Sequence, residues 1–176
     1  MNYFQLFDLP TSFSIDVADL KQRHRELQRQ LHPDRFTSAS EQEQRLALQR
    51  SSAINDGFDV LSHPLKRAEH FLRLHQVPLE SAESTVKDTA FLMEQMELRE
   101  RLEELSEIND LDALEDEIEA FTSELNATLS AQLATLSQYL ESQKPEQWQL
   151  ASVLIRQLAF FYKLLDELKQ LEDRLF

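Results

Sequence analysis

Apolar residues return every three or four positions along most of this chain, the period of an amphipathic helix, and no stretch alternates with the two-residue period of a strand. Tyr3 to Leu9 reads as a short apolar helix stopped by Pro10. Asp16 to Leu31 reads as a second, capped by Ser14 or Asp16. Leu20, His24, Leu27 and Leu31 share one of its faces, with Lys21, Arg25 and Arg29 in a row on the flank. Pro33 cannot extend that helix, so His32-Pro33-Asp34 falls on an exposed loop. Ser40-x-x-Glu43 is a capping box that opens a third helix, Glu41 to Leu61, with an inner row of Ala47, Leu48, Ile54 and Phe58. Pro64 suits the first position of a fourth, ending near Leu74.

Gln76 to Ser84 breaks the pattern with a proline and serines, which places a linker at 76–84 between domains at 1–75 and 85–176. Three long periodic segments follow: Thr85–Ser106, Asp110–Glu141 and Glu146–Leu175. Asn109-Asp110 and Lys144-Pro145 punctuate them, and short connections between long helices predict an antiparallel three-helix bundle. The expected fold class is all-α.

Two of those segments carry apolar residues off their core row. With Phe91 at 0° and about 100° per residue, Leu98, Leu102 and Leu105 fall within about 40° of it. Leu92, Met93 and Met96 fall at about 100°, 200° and 140°, on the side continued by Glu97, Glu100 and Glu104. In the last segment Leu154, Leu158, Phe161 and Leu165 make the core row, and Phe160 points about 200° away from Leu158. Exposed Leu, Met and Phe ringed by charge form a binding patch; the pattern alone fits equally well a trio packed against another helix.

Composition narrows the class of function. The chain has 176 residues, one glycine, five prolines and no cysteine. The absence of cysteine excludes disulfides, cysteine catalysis, thiolate zinc sites and thiolate ligation of iron–sulfur clusters. No apolar run approaches the ~20 residues of a membrane span, and Met1-Asn2-Tyr3-Phe4 does not open a signal peptide. A net charge of −14 disfavours nucleic acid and anionic lipid as main partners. That charge is uneven: four bases face one acid between Lys21 and His32, whereas Lys87 to Glu124 holds fourteen acids and three bases. Such asymmetry suggests two surfaces for two partners, although a Glu-rich helix face is as often only a solvated one.

His32-Pro33-Asp34 is the most informative motif. Helix, His-Pro-Asp loop, helix, and the closing stretch Ile54-Asn55-Asp56-Gly57-Phe58-Asp59-Val60-Leu61 resemble the J-domain of the DnaJ co-chaperones. The opening Tyr3-Phe4-Gln5-Leu6-Phe7, the Leu-His-Pro-Asp context and Thr89-Ala90-Phe91-Leu92-Met93-Glu94-Gln95-Met96 are similar to the HscB family, the J-type co-chaperones of bacterial iron–sulfur cluster assembly. The resemblance covers the whole chain, strongest over 1–36, 51–75 and 85–105 and loose from about 107 to 150. It implies a non-enzymatic, cytoplasmic protein without cofactor or metal, in which a J-domain is docked on a C-terminal helical bundle. It implies two partners, the DnaK-type chaperone HscA and the cluster scaffold IscU, and stimulation of ATP hydrolysis by HscA. The matching positions for the chaperone are His32, Pro33, Asp34 and Arg35 with Lys21, Arg25 and Arg29. Those for the scaffold are Leu92, Met93, Met96, Glu97, Glu100, Glu104 and Phe160. Two positions depart from the usual J-domain: Leu31 stands where an aromatic residue is common, and Glu26 where a base is.

Competing readings have weaker support. His63, His70 and His75 lack the three- or four-residue spacing of a helical zinc pair. A metallohydrolase using His24, His32, Asp34 and His63 has no accompanying motif. An acidic helical interaction protein without chaperone coupling is the remaining alternative.

Overall fold

The computed structural model describes residues 1–79 and 88–174. Among them every regular element is helical, and the chain divides into two compact units, Met1–Val77 and Pro78–Phe176. Residues 80–84 of the predicted linker, and the predicted helix start at Thr85, lie outside the described residues.

In the first unit α1 (Tyr3–Leu6) is shorter than the pattern suggested. Asp8 takes a left-handed φ of 53°, which ends the helix before Pro10 is reached. Arg23 stabilises that turn, its Nη1 donating to the carbonyls of Phe7 and Asp8 at 3.1 and 3.0 Å while its Nε donates to Asp19 at 2.9 Å. One of the four bases of that segment is thus used internally. The first N–H groups of α1 all find acceptors: Asn2 takes those of Phe4 and Gln5, and the buried His70 ring takes that of Tyr3 through Nε2 at 3.2 Å.

α2 (Val17–Gln30) is capped by Asp16 rather than Ser14, and α3 (Glu41–Ser62) by the Ser40/Glu43 box. Ser40 donates its backbone N–H and its hydroxyl to the Glu43 carboxylate at 2.8 and 2.7 Å, which holds the Glu43 pKa below its ordinary value. Phe4, Phe7, Leu20, Ile54 and Leu61 form the core between α1, α2 and α3. Leu27, Leu31 and Phe58 border it half-buried, and Phe58 stacks on His24 at 4.2 Å.

Leu48 corrects the expected inner row of α3, being 71% exposed. Ala47, Ile54 and Leu61 define the buried row, and Leu48 sits about 100° round the helix from Ala47. The sole glycine, Gly57, lies inside α3 where α1 packs on it, and a Cβ there would lie 3.0 Å from the rings of both Phe7 and Tyr3. α4 (Pro64–Leu74) begins at its proline with His63 accepting from the Leu65 N–H at 3.2 Å. It closes with Gln76 at φ 58° and the Val77 N–H on the Leu72 carbonyl at 3.0 Å, a Schellman ending.

In the second unit α6 (Leu111–Glu141) and α7 (Pro145–Glu172) form a long antiparallel pair, joined by a turn in which Gln143 takes a φ of 54°. Leu114, Ile118, Phe121, Leu125, Leu129, Leu136 and Leu140 bury the α6 face. Ala151, Leu154, Ile155, Leu158, Phe161, Leu164 and Leu168 bury that of α7. Half-buried Trp148 closes the corner by donating to the Leu140 carbonyl at 3.1 Å, one of the α6 carbonyls left without a helical partner. α5 (Thr89–Leu105) completes the three-helix bundle from the edge. It buries only Phe91 and Leu105, whereas Leu98 and Leu102, expected in the core row, are half-buried. In α7 Leu165 is likewise half-buried, because Leu164 and Leu168 take the inward positions.

Candidate functional sites: the His-Pro-Asp tip and the α5 face

Each unit presents one surface of interest. In the first, α2 ends at Gln30 because Pro33 forces the preceding residue out of the helical region: His32 sits at φ −57° and ψ 133°. Pro33 then opens a single 3₁₀ turn, Pro33–Phe36, that leads toward α3. His32 and Asp34 project from the tip with side chains 59% and 85% exposed. The Asp34 N–H lies 3.3 Å from His32 Nδ1 and the Asp34 carboxylate 3.4 Å from the same atom. A nitrogen that accepts carries no proton, so Nδ1 either accepts from the Asp34 N–H or donates to its carboxylate, and does not do both at once. Thr37 donates to the Asp34 carbonyl at 3.3 Å, and Arg35 reaches back to the Arg29 carbonyl at 3.5 Å, tying the loop to the end of α2.

Lys21, Arg25 and Arg29 are exposed, and among the described residues none of the three makes an ion pair. Arg25 and Arg29 line a concavity of about 520 Å³ that has His32 at its edge. Leu31 and Ser51 belong both to it and to a second hollow of about 440 Å³ that includes Phe36, Ala47 and Leu48. A cationic ridge, an acid at an exposed tip and an apolar hollow therefore occupy one end of the hairpin. Sequence reasoning missed the hollow, and the signal for it was the angular offset of Leu48.

In the second unit Met93 and Met96 are 59% and 72% exposed, and Glu97, Glu100 and Glu104 beside them are exposed as well. Leu92 is half-buried at the border of the same face. Phe160 corrects the expectation of a free ring. It is half-buried, edge-on to Phe91 at 6.0 Å and to Phe161 at 5.7 Å, with the Arg99 guanidinium 5.6 Å from its centroid. Arg99 is in turn ion-paired to Glu167. A position about 200° from Leu158 still meets a neighbour, because α5 packs beside α7 there. Phe160 thus belongs to the seam between the two helices, and the methionines lie farther round α5.

The remaining histidines have structural tasks. His63 caps α4, His70 is enclosed by the rings of Tyr3 and Phe4, and His75 Nδ1 lies 2.8 Å from the Phe71 carbonyl. Burial and the nearby Lys66 and Arg67 push the His63 pKa down; burial, Arg73 and the N-terminal amine do the same for His70. Among the described residues no three His, Asp or Glu side chains converge on a metal position, and no helix is long and apolar enough to cross a membrane.

Comparison with known proteins agrees with this geometry. The family described as "HSCB C-terminal oligomerisation domain" matches residues 87–169. A co-chaperone protein HscB homolog of Shewanella loihica is 47% identical over 176 residues, the full length of both chains. The solved structure of chaperone HscB from Vibrio cholerae superposes with a TM-score of 0.86 at 38% identity, covering both chains completely. Human co-chaperone protein HscB superposes at 0.85 with 27% identity, over 98% of this chain and 82% of the other. A J-domain hairpin, a three-helix bundle and near-50% identity to a curated HscB homolog from end to end make this chain a member of the HscB co-chaperone family.

Proposed function

We propose that this protein binds the iron–sulfur scaffold IscU through the α5 face, delivers it to the DnaK-type chaperone HscA through the J-domain tip in the bacterial cytoplasm, and stimulates ATP hydrolysis by HscA. The observation that carries the reading is the pair of exposed side chains His32 and Asp34 at the tip, beside three cations that make no ion pair among the described residues, in a chain whose full-length relatives are co-chaperones. Lys21, Arg25 and Arg29 steer the hairpin toward an acidic chaperone surface, and with no ion pair to any of them among the described residues that charge is left available. Asp34, an acceptor at the tip, competes for an arginine at the junction between the ATPase domain and linker of the chaperone. Such a switch needs an ATPase with two states, which this chain biases without taking part in the chemistry.

On the other unit Leu92, Met93 and Met96 supply an apolar centre with Glu97, Glu100 and Glu104 as a polar rim, the composition of a transient protein interface. Phe160 supports that centre from the seam, and its exposed edge extends the apolar area. Steady-state ATP turnover by HscA, measured with this protein alone, with scaffold alone and with both, tests the reading. Stimulation by this protein and a further rise when scaffold is added are expected. Unchanged turnover in every combination would leave an acidic interaction protein without chaperone coupling.

A further inference from the structure

The sulfur chemistry of this chain is concentrated on one surface. There is no cysteine, and of three methionines one is Met1 while the other two are Met93 and Met96. They stand three residues apart, about 60° round α5 from each other, with 59% and 72% of their surface open to water. Both lie at the centre of the face that we assign to scaffold binding, and the inference rests on that assignment.

We propose that Met93 and Met96 form a peroxide-sensitive modification site whose oxidation releases the scaffold. A lone pair of the thioether sulfur attacks one oxygen of hydrogen peroxide, the O–O bond breaks and an S–O bond forms. The sulfur loses two electrons, and the departing hydroxide takes the remaining proton to leave as water. The product sulfoxide replaces a flexible apolar side chain with a polar one.

Its surroundings make that change unfavourable in a bound interface. The sulfoxide oxygen accepts hydrogen bonds, and the rim side chains Glu97 and Glu100 are acceptors too, so neither can satisfy it. The cation one turn away, Arg99, is held on Glu167 and over Phe160. In water the oxygen is hydrated, and oxidation leaves the fold untouched because neither methionine contributes to the core. Beneath a partner it loses that water, and the carboxylates of Glu97 and Glu100 beside it offer no hydrogen in its place. Sulfoxide reductases of the two epimer specificities reverse the step.

The test treats the purified protein with hydrogen peroxide, removes the oxidant with catalase, and maps the added oxygen by peptide mass. Affinity for IscU is then measured by calorimetry. Conversion of both methionines should weaken binding roughly ten- to hundred-fold, as expected for burying unpartnered polar groups. The Met93→Leu/Met96→Leu variant, which has no thioether on this face, should show the same IscU affinity before and after peroxide, whatever that affinity is. Reduction of the oxidised protein should restore binding. Full oxidation with unchanged affinity would overturn the inference and leave the scaffold site standing. Peroxide sensitivity that persists in the leucine variant would also overturn it. An untreated protein with no affinity for IscU would instead overturn the scaffold reading on which it rests.

Discussion

Phe160 and the methionine pair should separate stability from binding. Phe160→Ala removes a half-buried ring with two edge-on aromatic neighbours and a guanidinium over its face. Two aromatic pairs at about 0.5–1 kcal/mol each and one cation–π contact near 0.5 kcal/mol give roughly 2 kcal/mol. Halving the ~3–5 kcal/mol typical of a fully buried Phe→Ala change gives the same figure. For a chain of this size that is a drop in melting temperature of about 4–8 °C. Met93→Ala/Met96→Ala removes side chains that are already mostly in water, so its effect should stay within about 0.5 kcal/mol. The order reverses in binding, where truncating two central anchors at about 1–2 kcal/mol each should weaken IscU binding by on the order of a hundred-fold. Thermal melts followed by circular dichroism, with calorimetric titration of IscU, read both quantities. A Phe160→Ala protein that melts like the parent would refute the packing argument. A methionine variant that melts early and binds normally would show that α5 buries that face.

Reversing Arg25 and Arg29 to Glu should slow association with HscA and flatten its salt dependence, since steering by exposed charge is screened over about 8 Å at physiological ionic strength; stopped-flow rates at several salt concentrations decide it. Acid should weaken the first unit. His63 and His70 have pKa values held below the ordinary histidine value, so the unfolded chain binds more protons; stability is full above about pH 6.5 and declines as pH falls below it. His70→Gln, which keeps an acceptor for the Tyr3 N–H and gains no proton, should reduce that slope in urea titrations, and an unchanged slope would remove His70 from the account. Gly57→Ala sets about 1 kcal/mol of improved helix propensity against about 1–3 kcal/mol of overpacking on Phe7 and Tyr3. Both rings belong to the packed α1–α3 crossing, so a lower denaturation midpoint is expected, and a raised one would mean that α1 yields easily.

The fold was legible wherever punctuation and period agreed. Asp16, the Ser40/Glu43 box and Pro64 start helices by local capping chemistry, which needs no knowledge of distant neighbours. The His-Pro-Asp tip was legible for the same reason: a proline after a helix dictates its own exposure. Errors arose where an angle on a helical wheel was taken for burial. Leu48 and Ala47 are adjacent in sequence yet about 100° apart, so one faces the core and the other water. Phe160 points away from its own core row and still meets Phe91, because which flank of α7 is covered depends on where α5 packs. The enclosure of His70 had no sequence signal, since it arises from the N–H of Tyr3, 67 residues away.

The central claim is that the exposed tip couples this protein to a chaperone ATPase, and Asp34→Asn tests it most directly. Its carboxylate supports no core and its side chain is 85% exposed, so helical content and IscU affinity should equal those of the parent. ATP turnover by HscA should then show no stimulation by the variant, with or without scaffold. Undiminished stimulation by Asp34→Asn would contradict the account.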